Sequence, residues 1–437
     1  MKETIIQFGE GNFLRGFFDY FIDVLNKKGL YEGKVVVVQP RVGGKCGALN
    51  EQNCDYNLYL RGIKNGEVLS EHTFVNSISK GVDPYKNYED YITLADSEDF
   101  RFIVSNTTEA GIAFDESCKF DDKPCKSFPG KLTQLLYRRY KNNMEGFIFL
   151  PCELIDNNAD ALKACVLKYA EFWQLENEFV DWVNTKNTFC NTLVDRIVTG
   201  YPNDETVNLH PDDKFLVAGE LFHLWVIEGD IEDELPLKKV GFNVVYTDDV
   251  SPYKKIKVRI LNGAHTSMVT GAILSGLDFV GECMEDPCVS AYLDKCMKEE
   301  VLCVLGNDDT SRSFMGDVFD RFRNPFIKHR LRSIALNSVS KFSVRVLPTI
   351  LDYKKIKGVY PKYLSMSLSY LLYFYKNDTP EDSEDVISKI RNSNISEILA
   401  DETLWQTDLS EMNDIVSAYY EKIELLGAKG AMEWVLL

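Results

Sequence analysis

Long apolar runs are missing from this chain. No stretch approaches the roughly 18 uninterrupted apolar residues of a membrane span, and the opening MKETIIQFGEG lacks the basic head and apolar core of an export signal. Membrane insertion and secretion are therefore not expected. Positive charge is scarce too: 49 Lys and Arg stand against 67 Asp and Glu, a formal net charge of −18. A nucleic-acid surface needs a concentrated basic face, so no nucleic-acid partner is expected, and an anionic small molecule would need a local cationic pocket. The five histidines (His72, His210, His223, His265, His329) show no HExxH-type spacing, which predicts no metal site and argues against zinc chemistry. The eleven cysteines include no CxxC pair and are scattered, Cys165 and Cys303 among apolar neighbours. Reduced thiols in the cytoplasm fit that usage. Internal repeats and low-complexity tracts are absent, and the acidic cluster at 381–385 reads as a solvated helix start.

What is present suits a folded enzyme. The 437 residues are enough for two or three domains, and 45% hydrophobic content supplies their cores. A strand at 4–8 leads through Gly9-Glu10-Gly11-Asn12 into a helix with apolar rows at Phe13, Phe17, Phe21 and Leu25 and at Leu14, Phe18 and Ile22. A second strand at 34–38, mostly valine, has the continuous apolar character of a parallel strand buried on both faces. Strand, glycine turn, helix, strand is the βαβ unit whose helix start can hold a pyrophosphate. Leu14 stands where the third glycine of GxGxxG belongs, and a plain tight turn is the competing reading. The second strand ends in Gln39-Pro40-Arg41 rather than in an acid for the ribose hydroxyls, which leaves NAD against NADP open.

Residues 58–63 and 67–75 around Asn65-Gly66 predict a hairpin. Buried strands are expected at 100–105 and 146–150, running into Asn106-Thr107-Thr108-Glu109 and Pro151-Cys152-Glu153. Ligands of doubly wound sheets bind beyond such strand ends, which marks these loops for a cofactor; otherwise Thr107 and Thr108 only cap a turn. From about residue 251 onward helical patterns dominate.

The segment KVRILNGAH (257–265) brings an amine, an amide and an imidazole together. At about 100° per residue, with Lys257 at zero, His265 falls near 80° and Asn262 near 140°, while Arg259 and Thr266 point elsewhere. Leu261, Ala264 and Met268 share the polar sector, so it faces inward, and converging groups of this kind can share a substrate oxygen. The alternative is a snorkelling lysine, an Asn-Gly turn and a satisfied core histidine.

KVRILNGAH resembles the KxxxxNxxH signature of the long-chain polyol dehydrogenases, the mannitol dehydrogenase family, and QFGEGNFLRGF (7–17) resembles that family's cofactor loop. PCELIDNN (151–158), NTLVDRI (191–197) and RFRNPFIKHRLRSIALNSVSKFSVRVLP (321–348) are similar to its members acting on keto-uronates, so the resemblance spans nearly the whole chain. It implies an α/β fold: an N-terminal Rossmann-type doubly wound sheet (1–248) followed by a mostly α-helical substrate-binding and catalytic domain (249–437). It also implies metal-free hydride transfer with NAD, NADP remaining possible, on a small sugar-acid substrate.

In that frame Gly9, Gly11, Asn12, Phe13, Arg15, Arg41, Thr107 and Glu109 bind the cofactor. Lys257 is the acid–base group, Asn262 and Asn158 donate to the developing alkoxide, and His265 orients a substrate hydroxyl. Asp195 falls where the family keeps an acid near the lysine; standing beside Arg196, it also reads as half of a structural ion pair. Among Lys328, His329, Arg330, Arg332, Lys341 and Arg345, Lys341 and then Arg332 are expected to meet the substrate carboxylate. A sister activity on another uronate or on mannitol, and a dinucleotide sensor without turnover, are the alternatives. Binding alone would not need the acid, which favours an enzyme.

Overall fold

The computed structural model describes residues 1–437 except Asn65, so the turn of the expected Asn65-Gly66 hairpin lies partly outside the described residues. Six parallel strands form the main sheet in the order Ile78–Val82, Gly33–Val38, Lys2–Phe8, Phe102–Ser105, Ile148–Pro151 and Thr188–Phe189. Counted along the chain this is 3-2-1-4-5-6, the doubly wound arrangement of a Rossmann-type domain. Side chains alternate across it: Ile5, Val35 and Val37 join one core with Phe17, Phe21 and Trp225, and Ile6, Val36 and Val38 join another with Leu132 and Leu135. Burial on both faces is why these strands carry unbroken apolar runs.

The helix after the glycine turn is not continuous. It breaks at Phe17 (φ −130°, ψ −85°) into Asn12–Arg15 and Phe18–Lys27. Apart from half-buried Phe13, both apolar rows stay buried, because Phe17, Phe18 and Phe21 gather around the indole of Trp225 with ring centroids 5.5–6.2 Å away. Two smaller sheets extend this part of the chain: Val198–Gly200, Val217–Glu220, Tyr56–Lys64 and Glu67–Val75 in that order, and Val244–Thr247, Leu224–Glu228 and Thr192–Asp195.

The chain divides into two compact units, Met1–Arg61 with Leu69–Ser251, and Pro252–Leu437 with Gly62–Val68. Beyond Ser251 the described elements are all helical. The helix Gly263–Leu274 is apolar nearly all round and is enclosed by Lys362–Asn377, Asn413–Leu436, Leu331–Ile334 and Ser338–Arg345. All eleven cysteines are free thiols. Among the described residues no helix is long and apolar enough to cross a membrane.

Candidate active site

Strands Lys2–Phe8 and Phe102–Ser105 lie side by side where the strand order reverses, with Phe8 opposite Ser105. Their following segments therefore border one space. It is a cavity of about 550 Å³, lined by Gly9 to Phe13, Pro40, Arg41, Asn106 to Thr108, Gly111, Asp115 and Lys126 among others. Gly9 is required twice over: its φ is +122°, and a Cβ there would stand 2.8 Å from the carbonyl oxygen of Asn106. At Gly11 a Cβ would meet nothing within 4 Å, so the backbone there fronts open space. A tight glycine followed by an unobstructed one is what a pyrophosphate cradle needs.

The opposite wall is held from below by Glu153. Its carboxylate accepts hydrogen bonds from Ser105 Oγ and from the N–H and hydroxyl of Thr107, each at 2.9 Å. Burial pushes this carboxyl above its ordinary range, against the pull of those donors. The next residue, Thr108, has φ +74°, a costly conformation for a β-branched side chain. Strain at the cavity wall thus rests on a buried acid. The space, the glycines and the fixed loop fit a dinucleotide.

In the second unit, Lys257 ends one α-helix, Val258–Asn262 forms a π-turn, and Gly263 begins the next helix. A π-turn bonds each N–H to the fifth preceding carbonyl and winds by roughly 80° per residue. Over the five steps to Asn262 this turns the amide to about 40° from Lys257, and three α-helical steps at about 100° then bring His265 to within about 20° of it. The three side chains share one narrow sector, tighter than a continuous α-helix would give. Arg259 points elsewhere, to Thr349 Oγ1 at 2.8 Å and Asp352 Oδ2 at 3.0 Å.

His265 stacks on Phe322 and meets His329 edge-on with ring centroids 5.2 Å apart. Burial, and then the charges of His329, Arg321 and Arg345, hold its imidazole well below the ordinary value. It is neutral near pH 7, with one N–H donor and one acceptor nitrogen. Half-buried Lys341 gives its ammonium to the Ile334 carbonyl at 3.0 Å. Its pKa is lowered by burial and by Arg345.

Residues 3–239 match the mannitol dehydrogenase Rossmann domain and residues 249–426 the mannitol dehydrogenase C-terminal domain. The chain belongs to the mannitol dehydrogenase family. It is accordingly an oxidoreductase of CH–OH groups with a nicotinamide dinucleotide as cofactor. The altronate oxidoreductase of Bacillus subtilis (strain 168) is 46% identical over 99% of this chain and 95% of its own length. That of Escherichia coli O7:K1 is 40% identical over 99% and 96%. Two solved structures share the fold: a D-sorbitol dehydrogenase in substrate-free form (TM-score 0.85, 22% identity, 99% of this chain and 95% of that one) and the Pseudomonas fluorescens mannitol 2-dehydrogenase ternary complex with NAD and D-mannitol (TM-score 0.73, 23% identity, 100% and 94%).

Of the cofactor residues expected in this family member, Gly9, Gly11, Asn12, Phe13, Arg41 and Thr107 line the cavity. Arg15 does not. Its guanidinium is buried between the rings of Tyr56 and Phe215 and donates to the Phe215 carbonyl and to Asn12 Oδ1, bracing the loop from behind. Glu109 is exposed and is not among the lining residues. Asn158 is buried with its amide N–H groups directed to the carbonyls of Pro151, Glu153 and Thr192 at 3.0–3.1 Å, and its oxygen accepts from Thr192 N at 2.9 Å. In this structure it ties strand ends together instead of offering a donor.

Asp195 is buried at the end of its strand opposite Leu224. Its neighbour Arg196 bonds the carbonyls of Gly16, Leu221 and Phe222. Arg332 is exposed and paired with Asp378 at 2.9 Å. The 110–128 segment supplies lining residues that carry no strand signal in sequence. Its one legible mark is Ser127, which caps the helix Phe128–Lys141 ahead of Pro129. Among the described residues no three His, Cys, Asp or Glu side chains are disposed to hold a metal ion.

Proposed function

We propose that this chain interconverts D-altronate and D-tagaturonate with NAD(H). The observation that carries the reading is the narrow Lys257–Asn262–His265 sector beside the cationic Lys341, in a chain 46% identical to an altronate oxidoreductase. Oxidising a secondary alcohol removes a hydride from carbon and a proton from oxygen. The nicotinamide, when bound, takes the hydride. Lys257 takes the hydroxyl proton through its neutral amine, and in the reverse direction its ammonium returns one. The Asn262 amide donates to the oxygen as it gains alkoxide character. Neutral His265, held flat on Phe322, orients a neighbouring hydroxyl, and Lys341 meets the carboxylate.

NAD is taken over NADP on the resemblance to NAD-linked members of the family; the charge of the lining does not choose, since Arg41 and Lys126 stand there against Glu10 and Asp115. The deciding experiment follows NADH oxidation with D-tagaturonate, D-fructuronate and D-fructose. The highest kcat/KM is expected on D-tagaturonate, and a higher value on D-fructose would overturn the uronate reading.

A further inference from the structure

Helix Ser338–Arg345 carries Lys341 and Arg345 one turn apart, on neighbouring positions of one face. Its end packs on the first turn after the π-turn: the Arg345 carbonyl oxygen would stand 3.6 Å from a Cβ on Gly263. Arg345 is therefore next to the segment that carries Asn262 and His265, and its charge is felt at both His265 and Lys341. The guanidinium is half-buried. Burial is the only influence on its own pKa, which it lowers, and among the described residues no carbonyl, carboxylate or hydroxyl accepts a hydrogen bond from it. Arginine has five N–H donors, and those of Arg345 are not among the buried unsatisfied groups, so solvent meets them and they stay free to take the oxygens of a ligand.

The same few ångströms also hold His329 and Arg321. Two acids face this group: Asp317, which acts on Arg321, and Asp382, which raises the pKa of Lys341 and is itself bonded by Tyr375 Oη at 2.6 Å and by Ser383 N at 2.7 Å. Arg321 has its own facing acid in Asp317, so the cations here with no acid acting on them through the protein reduce to Arg345. Arg332 and Lys341 differ from Arg345 in having protein partners, Asp378 and the Ile334 carbonyl.

We propose that Arg345, one turn beyond Lys341, joins it in binding the carboxylate of the sugar-acid substrate and that its planar fork contributes most of the discrimination between sugar acids and uncharged polyols. This rests on the reading of the substrate as a sugar acid. A carboxylate offers two coplanar oxygens that match two parallel N–H groups, and a point charge such as Lys341 cannot reproduce that match.

The test compares wild type, Arg345→Met and Arg345→Lys on D-altronate and on an uncharged polyol, D-mannitol, with NAD, and titrates D-altronate calorimetrically into enzyme saturated with NADH. Arg345→Met is expected to raise the KM for D-altronate by about 10- to 100-fold with a smaller change in kcat, and to weaken calorimetric binding in parallel. D-Mannitol kinetics should change less than about threefold, and Arg345→Lys should recover part of the loss. Equal losses on both substrates, or unchanged D-altronate binding, would overturn the proposal. Thermal unfolding of each variant identifies loss by misfolding, in which case Arg345→Lys alone decides: full activity on D-altronate refutes a role for the fork. If wild type instead prefers D-mannitol, the substrate reading fails. The Arg345 assignment is then judged by whether Arg345→Met still weakens D-altronate binding in the calorimeter.

Discussion

The imidazole of His265 lies over the ring of Phe322 with centroids 4.3 Å apart and planes inclined by 23°. The stack fixes the plane in which its two nitrogens can reach a substrate, and the low-dielectric face keeps the ring neutral. In the proposed reaction a histidine held this way orients a hydroxyl and leaves the proton transfer to Lys257.

The same stack makes stability depend on pH. The unfolded chain begins to protonate this histidine as pH falls through 6.5, whereas the folded protein resists until well below that value. Below pH 6.5 the unfolded state therefore binds more protons, and His265's contribution to stability is present above that pH and is lost on acidification. Urea denaturation at pH 8.0, 6.5 and 5.5 should show a steeper acid loss for wild type than for His265→Gln. Parallel pH slopes would refute this.

Lys257→Ala should fold and bind NADH normally while losing on the order of 10² to 10⁴ in turnover, the range of general acid–base catalysis. Stopped-flow turnover and an unchanged unfolding midpoint check both halves. Near wild-type turnover would remove Lys257 from the chemistry.

The two loop glycines should separate stability from binding. Gly9→Ala forces a Cβ against the Asn106 carbonyl at a positive φ and should cost about 1–3 kcal/mol of stability as well as NADH affinity. Gly11→Ala has φ −71° and no protein neighbour for its Cβ. It should leave the unfolding midpoint nearly unchanged and still weaken NADH, because the methyl intrudes where backbone meets pyrophosphate. Equal destabilisation by the two changes would show that the loop is shaped by packing alone.

NADH should be preferred over NADPH. Exposed Arg41 lines the same cavity as Glu10 and Asp115. Measuring kcat/KM with both cofactors for wild type and Arg41→Ala decides between them: an NADPH preference that disappears in Arg41→Ala would assign that arginine to a 2′-phosphate.

Local pattern alone determined much of this protein. Strand 34–38 reads as buried on both faces because it is, the glycine turn sits between strand and helix where a dinucleotide cradle must, and the chain beyond 251 is helical where its apolar spacing is. Family resemblance in KVRILNGAH pointed to the family whose C-terminal domain this part of the chain matches. These features are legible because each depends on residues close in sequence.

What the tertiary structure decided depends on partners far away. Arg15 looks like a cofactor residue beside the loop, yet its guanidinium turns to a carbonyl 200 residues on, at Phe215. Asn158 looks like a free amide until Thr192 occupies it. The π-turn that narrows the Lys257 sector leaves no mark in composition. Among the basic residues of 328–345, sequence could not separate Arg332, neutralised by Asp378, from Arg345, which packing sets beside His265 with no counter-charge of its own. Local periodicity specifies which face of an element is buried, but which polar groups find acceptors is settled only when distant elements pack, because every donor in the interior competes for the oxygens that packing brings within reach.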